Sequence, residues 1–308
     1  SDNRCKREGV SHGVVRRGER SDRKLNIFRH RINRKLGHIK DDALLNICAC
    51  DPQTKEQLCQ IRNLRADVAK GNADIIISDN RFGLFTRETR CVYMTHQLYV
   101  QLPKRLKIFQ PLARALHACI YKRFNEVWVP DYADPTNNLS GALSHGGRFD
   151  RHAKYIGPLS RFSNLESGSR HPEKPTGLQN TEAEYPILAI LSGLEPQRTL
   201  FEQALIDRFK DSTQPVLIVR GKIGGPATTT QIGAVTLVPH MNDEQLVSLM
   251  LQAKKIIVRS GYSTIMDLSV LGLLSKAEFH PTPGQSEQEY LAQVLMHRLR
   301  GFSAVSHS

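Results

Sequence analysis

Three stretches in the second half of the chain place glycine, hydroxyl, amide and carboxylate groups directly after apolar runs. Ser192-Gly193-Leu194-Glu195-Pro196 follows residues 186–191 (PILAIL), and Arg259-Ser260-Gly261-Tyr262-Ser263-Thr264 follows 255–258 and runs on to Asp267. The third, 281–290 (PTPGQSEQEY), follows 277–279. Glycine lets a ligand approach the backbone, and a helix start offers unpaired N–H groups at the positive end of the helix dipole. The first two turns can therefore hold a phosphate. Asp267, one turn into its helix, can accept from the vicinal hydroxyls of a ribose. The cluster of amide and carboxylate side chains in 281–290 offers the donors and acceptors that sugar hydroxyls need. Each stretch also has a plain structural reading: a capped turn before Thr199, Ser263 or Thr264 as a helix cap, Asp267 as a favourable charge in an early helical turn, and Ser286 with Glu289 as a capping box. In the first half, Asp79-Asn80-Arg81 follows 73–78 (ADIIIS) and Thr95-His96-Gln97 follows 91–94. Asp79 and His96 can move a proton; a lone His in such a place also serves as a packing residue.

The elements that position these groups alternate. Short apolar runs at 73–78, 91–94, 126–129, 186–191, 215–220, 235–238, 255–258 and 277–279 read as buried strands. Amphipathic stretches at 53–70, 106–124, 198–210, 243–253, 264–271 and 286–299 read as helices. The alternation predicts an α/β fold of two Rossmann-like, doubly wound lobes, with ligands beyond the carboxyl ends of the strands. Residues 131–152 and 166–182 are polar and rich in turn formers, and flank a short strand and turn at 155–162 (YIGPLSRF); a hinge is expected here. The expected organisation is a basic irregular arm over 1–50, an N-terminal lobe over 51–156 and a C-terminal lobe over 157–308.

The arm explains most of the charge. Residues 1–40 hold thirteen Lys and Arg against four acids, +9 of the net +13, which leaves about +4 for everything after it. A nucleic-acid reading through the arm predicts salt-dependent affinity, but the arm lacks interleaved aromatics for base stacking, so nucleic acid is not the expected partner. The six cysteines show no Cys-x-x-Cys pair; Cys48 and Cys50 alone make a poor metal site, and no metal ligand set is assigned. With no apolar run near the ~20 residues of a membrane helix and no signal-like leader, a cytoplasmic location is expected.

Five blocks in one order, ISDNRFGLF, THQLYVQLPKRL, YIGPLSRF, LSGLEPQRTLFE and RSGYSTIMDLSVLG…PTPGQSEQEYLA, resemble bacterial glycosyltransferases of the two-lobed GT-B fold. These are relatives of the N-acetylglucosaminyltransferase that makes lipid II of peptidoglycan. The resemblance spans 73–292 and implies an inverting, metal-independent transferase that uses no cofactor. It would move a sugar, an N-acetylhexosamine, from a UDP-sugar to a hydroxyl acceptor, which can be a membrane-associated glycolipid at the inner face of the membrane. It places Arg161, Ser192, Gly193, Gly261, Ser263 and Thr264 at the donor diphosphate with Arg259 in the same segment. Asp267 would lie at the ribose, and Gln285 and Gln288 at the sugar. His96 and Asp79 become candidates for the base, with Asn80, Arg81 and Gln97 on the acceptor side. The family's opening strand and Gly-rich loop have no counterpart in the first fifty residues, Leu36-Gly37-His38 being the nearest fragment. The N-terminal lobe is therefore expected to be incomplete, and a nucleotide-sugar-binding protein without catalysis is the competing expectation.

Overall fold

The computed structural model describes residues 44–47, 75–80, 85–102, 108–147, 152–163, 185–222 and 228–305 of the 308. The chain divides into two compact units, Ser1–Gly157 and Pro158–Ser308.

In the first unit five strands, β1 (Leu44–Ile47), β2 (Ile75–Asp79), β3 (Arg90–Met94), β4 (Glu126–Val129) and β5 (Ala153–Tyr155), form a parallel sheet in chain order. Helix α1 (Gln110–Tyr121) lies between β3 and β4 in sequence. It starts four residues later than its apolar pattern suggests. Pro111 in the first turn, where a missing N–H costs nothing, fits that start. The central strands are apolar on both faces, with Ile76, Ile77, Cys91, Val92, Tyr93 and Val129 fully buried, as sheets covered on both sides require. Strand β1 corrects one expectation, since it falls inside the stretch read as an irregular arm. Its LLNI pairs in parallel register with Ile75–Ser78, and four residues set among charges are too short a run for periodicity to reveal. The helix expected over 53–70 and the polar stretch over 166–182 lie outside the described residues.

Residues 131–147, part of the polar stretch before 155–162, pack into the first unit, and the two units divide after Gly157. Leu139 and Leu143 are buried, and the Tyr99 N–H donates to the Leu143 carbonyl.

The second unit is a six-stranded sheet in the order β11-β10-β6-β7-β9-β8. Its strands are β6 (Ile187–Ile190), β7 (Val216–Val219), β8 (Thr230–Ile232), β9 (Val235–Val238), β10 (Lys255–Arg259) and β11 (Ala277–His280). All pairings are parallel except that of β8, an exposed edge strand whose TQI carries no apolar signature and went unexpected. The helices are α2 (Gln197–Phe209), α3 (Asp243–Gln252), α4 (Tyr262–Val270) and α5 (Ser286–Val305). The chain winds from β6 outward through β7 to β9, then returns to the other side of β6 for β10 and β11. That reversal makes the β6/β10 junction the switch point of a doubly wound sheet. The two units are thus α/β lobes of the GT-B type: the second shows both windings, and the first, N-terminal lobe shows one among its described residues.

Candidate functional site

The two glycine turns expected to carry chemistry flank the switch point. Ile190 pairs with Val258, so the turn after β6 and the turn after β10 leave the sheet side by side. Gly193 adopts φ +97°, which favours glycine, with nothing within 4 Å of where a Cβ would stand. Ser192 to Pro196 are exposed, and Leu194 is 86% exposed.

The start of α2 beyond that turn is already occupied. The Glu195 carboxylate accepts from the Thr199 N–H (3.1 Å) and hydroxyl (2.8 Å) and from Arg198 Nη2 (2.7 Å). The Thr199 hydroxyl first, then Arg198, hold its pKa down at about 2. Helix α3 is closed too, by a capping box between Asn242 and Gln245.

Helix α4 is different. It begins at Tyr262 with Gly261 as N-cap, so Ser263 and Thr264 sit inside its first turn. This corrects the expectation that one of them caps the helix. The N–H groups of Ser263 and Thr264 have no partner among the described residues, and no acid lies in the first turn. Gly261 itself has φ −71° and ψ 139°, a conformation any residue adopts, and a Cβ there would meet nothing within 4 Å. Nothing in the fold requires glycine at 261; the open space in front of the helix does not require it either unless something else occupies it.

Two residues before Gly261, at the end of β10, Arg259 is 7% exposed. Its guanidinium donates to the carbonyls of Pro281 (2.8 Å) and Gln197 (3.2 Å) and lies 4.0 Å from the centroid of the Phe201 ring. No carboxylate partners it among the described residues, and burial lowers its pKa. A buried cation bonded only to neutral groups is a standing source of positive potential at the switch point.

Arg161 sits apart from that cation, in a carboxylate pair. Its Nε lies 3.3 Å from Asp267 Oδ2 and its Nη1 3.2 Å from Asp243 Oδ1, which leaves Nη2 without a hydrogen-bond partner among the described residues. Asp267 is largely buried, and that burial raises its pKa against the opposing pull of Ser160 and Arg161. The residue expected at a ribose is thus held against Arg161. Ser260, fully buried, ties the turn to α5 by donating to the Gln288 carbonyl (2.8 Å).

Gln285 and Gln288 come together. Gln288 Nε2 donates to Gln285 Oε1 (2.6 Å), and Gln288 Oε1 accepts from the Thr282 N–H (2.9 Å). Ser286 is the first helical residue of α5, one position inside the cap expected of it.

In the first unit, Asp79 ends β2 opposite Met94, and His96 follows two residues later, so the candidate bases stand on adjacent strand ends. Both are partly buried. Asn80 takes φ +56°, a left-handed conformation that Asn tolerates. Its Oδ1 accepts from the Tyr93 hydroxyl (3.1 Å) and the Thr95 hydroxyl (3.0 Å), which makes its side chain a brace. The Gln97 N–H donates to Thr95 Oγ1 (3.0 Å). Arg81 lies outside the described residues.

Sequence reasoning missed Asp131, which is fully buried just past β4. Its carboxylate accepts from the N–H groups of Tyr132 (2.7 Å), Leu139 (2.8 Å) and Ser140 (2.9 Å), and from the Ser140 hydroxyl. Ser144 Oγ bridges this cluster to His145 Nδ1 (2.7 Å). An acid placed directly after the strand EVWV and its Pro130, ahead of an Asn-, Ser- and Gly-rich turn, was the available signal.

Among the described residues no cluster of His, Cys, Asp and Glu is arranged to hold a metal ion. No protein-family model and no curated protein matches the sequence. Among solved structures the chain is similar to MnaA of S. aureus in a co-structure with UDP, at 12% identity over 90% of this chain and 78% of that one, TM-score 0.49. A second is a putative UDP-N-acetylglucosamine 2-epimerase from Listeria monocytogenes, at 11% identity over 77% and 69%, TM-score 0.41. A third is MurG of Acinetobacter baumannii, at 11% identity over 82% and 73%, TM-score 0.35. With TM-scores below 0.5, the fold stands on the strand order described above.

Proposed function

We propose that the chain is a glycosyltransferase whose second unit binds a UDP-sugar at the β6/β10 switch point. The observation that carries this reading is the start of α4: unpaired Ser263 and Thr264 amides behind a glycine the fold does not require, backed by the buried charge of Arg259. Helix-end amides and a dipole suit a diphosphate, and the switch point is where doubly wound sheets take nucleotides. The free Nη2 of Arg161, the exposed Ser192-Gly193 turn, and the Gln285/Gln288 pair supply further donors for phosphate and sugar oxygens.

The chemistry is transfer of an N-acetylhexosamine to a hydroxyl with inversion and without a metal. His96 or Asp79 removes the acceptor proton, the acceptor oxygen bonds to the anomeric carbon, and the UDP oxygen leaves with the bonding pair. The α4 amides stabilise the charge that develops on the diphosphate. The acceptor is a hydroxyl-bearing, membrane-associated glycolipid, reached from the cytoplasmic side.

Isothermal titration of the full chain with UDP tests the donor site. Binding at micromolar to millimolar ligand is expected, and none at millimolar UDP by folded protein overturns the reading. Donor turnover separates transfer from binding alone: release of UDP from UDP-N-acetylglucosamine supports the enzyme, and UDP affinity with no release supports the non-catalytic alternative.

A further inference from the structure

The turn that follows β4 holds four polar side chains in one buried row. Asp131, Ser140 and Ser144 are fully buried, and His145 is 8% exposed. The row runs from the Asp131 carboxylate to Ser140 Oγ, then to Ser144 Oγ (2.5 Å) and His145 Nδ1 (2.7 Å). It ends where His145 Nε2 meets the Tyr132 carbonyl (3.0 Å). Each of these four gaps needs one proton to be a hydrogen bond. The carbonyl can only accept, so Nε2 carries a hydrogen, and each hydroxyl has a single hydrogen to give. Two assignments then fill every gap. In one, Ser140 donates to Asp131, Ser144 donates to Ser140, and an imidazolium donates from both ring nitrogens. In the other, the three hydrogens between His145 and Asp131 have each moved one place along the row. A protonated Asp131 then donates to Ser140, and a neutral His145 accepts from Ser144. Both assignments hold the same number of protons, so Asp131 and His145 share one. Taking that proton away leaves two polar atoms facing each other with nothing between them, which is costly for buried groups.

The surroundings select the first assignment. The N–H groups of Tyr132, Leu139 and Ser140 converge on the Asp131 carboxylate, and such donors favour the anion. Among the described residues, the titratable groups that face the imidazole besides Asp131 are Tyr155 and Asp134. The Tyr155 ring, from β5, lies 4.6 Å from it between centroids. Asp134, exposed on the same turn, is held below the usual carboxylate range first by the Thr136 N–H and hydroxyl, with a smaller pull from His145. Both carboxylates favour the charged ring.

The same turn fixes the loop after β3. The Leu143 carbonyl, one residue before Ser144, accepts from the Tyr99 N–H (2.8 Å). A Cβ on Gly147 would stand 2.1 Å from the Tyr99 ring, so the backbone of the turn lies directly against that side chain. From α1 the Tyr121 hydroxyl donates to the carbonyls of Gln97 (3.1 Å) and Leu98 (2.8 Å). His96 thus heads a stretch in which each of the next three residues is held.

We propose that His145 is a positioning residue. As an imidazolium sharing one proton with Asp131 through Ser140 and Ser144, it locks the 131–147 turn and so fixes the Tyr99 end of the loop that carries His96. Its bearing on catalysis rests on the reading of His96 as a base; the relay itself does not. Loss of the shared proton as pH rises releases the lock.

The test is NMR of the full chain with ¹⁵N-labelled histidine rings, without sugar nucleotide, so that the outcome is independent of the donor site. His145, assigned by its absence in His145→Gln, should carry hydrogens on both nitrogens at about pH 7.5, where an ordinary imidazole is mostly neutral. Ser144→Ala breaks the row and should leave that ring neutral at the same pH, while Trp128 fluorescence unchanged from the parent shows that the first unit is folded. Protection of the Tyr99 amide from hydrogen exchange, corrected for its intrinsic rate, should fall about tenfold in the parent as the His145 proton is lost, the measure of one hydrogen bond. In Ser144→Ala it should be low throughout, with no such step, and the His96 ring resonances should shift. A neutral His145 in the parent at that pH overturns the proposal, and this outcome needs no variant. So does a His145 that stays doubly protonated in Ser144→Ala, Tyr99 protection that ignores the His145 proton, or His96 resonances left in place.

Discussion

At the carboxyl ends of the two sheets, polar groups are used in opposite ways. In the first unit they satisfy one another: Asn80 is braced by Tyr93 and Thr95, Tyr121 holds the Gln97 and Leu98 carbonyls, and Asp131 gathers three backbone amides with Ser140. In the second unit satisfaction stops at the switch point. Helices α2 and α3 are closed by Glu195 and Asn242, whereas the start of α4, just after the buried Arg259, has no side-chain cap among the described residues. A satisfied end fixes loop geometry around titratable residues, which general-base chemistry requires; an open helix end waits for an anion. That contrast is what the proposed function rests on when it puts proton chemistry in the first unit and donor binding in the second.

The largest expected effect tests that division directly. His96→Ala should lower transfer by roughly a hundredfold or more, the usual contribution of a positioned base, with UDP affinity unchanged by titration calorimetry. Equal loss of both would break the division.

Next in size is an acid sensitivity confined to the first unit. Burial lowers the pKa of His117 to about 4, against the ordinary 6.5. The unfolded chain therefore takes up the proton first as pH falls. The associated stability is fully present above about pH 6.5 and is lost on descending towards pH 4, up to about 3 kcal/mol. Trp128, the chain's single tryptophan, lies in this unit and reports it. Urea midpoints followed by its fluorescence should fall through that window, and His117→Gln should flatten the slope. A slope unchanged in the variant would place the sensitivity elsewhere.

Two glycines of the second unit sharpen the comparison between structure and site. At Gly233 (φ +56°) a Cβ would stand 2.0 Å from the Lys210 carbonyl oxygen. Gly233→Ala should cost about 2 to 3 kcal/mol in urea denaturation. At Gly261 a Cβ has open space and an ordinary backbone. Gly261→Val should leave the urea midpoint in place and weaken UDP binding by about tenfold, since the side chain would fill the space before the α4 amides. Lost stability with intact UDP affinity would make 261 an ordinary structural glycine.

Most strands were legible because a short apolar run bounded by polar residues has few other uses; ILAI within 186–191 and VLIV within 215–220 coincide with observed strands. The two missed strands, LLNI and TQI, are short and, in the second case, exposed, so periodicity had nothing to register. The site was legible as a set of turns, because a glycine after an apolar run marks the end of a strand. Which group in each turn is available was not legible. Ser263 and Thr264 read as caps, yet the helix begins before them. The sequence offered a capped turn before Thr199 without showing that Glu195 makes it, and placed Arg259 in the donor segment without showing that it is buried with its guanidinium on the Pro281 carbonyl.

The alternation of strand and helix and the position of the turns were determined by the sequence itself, since they depend on residues close in the chain. The strand order that makes β6/β10 a switch point, the burial of Arg259 and Asp131, and the difference between Gly233 and Gly261 were decided only by the tertiary structure. Arg259 depends on Gln197, far away in the chain, and even where the partners are near, as for Asp131, local composition carries no record of what folding brings opposite a side chain or leaves open before it.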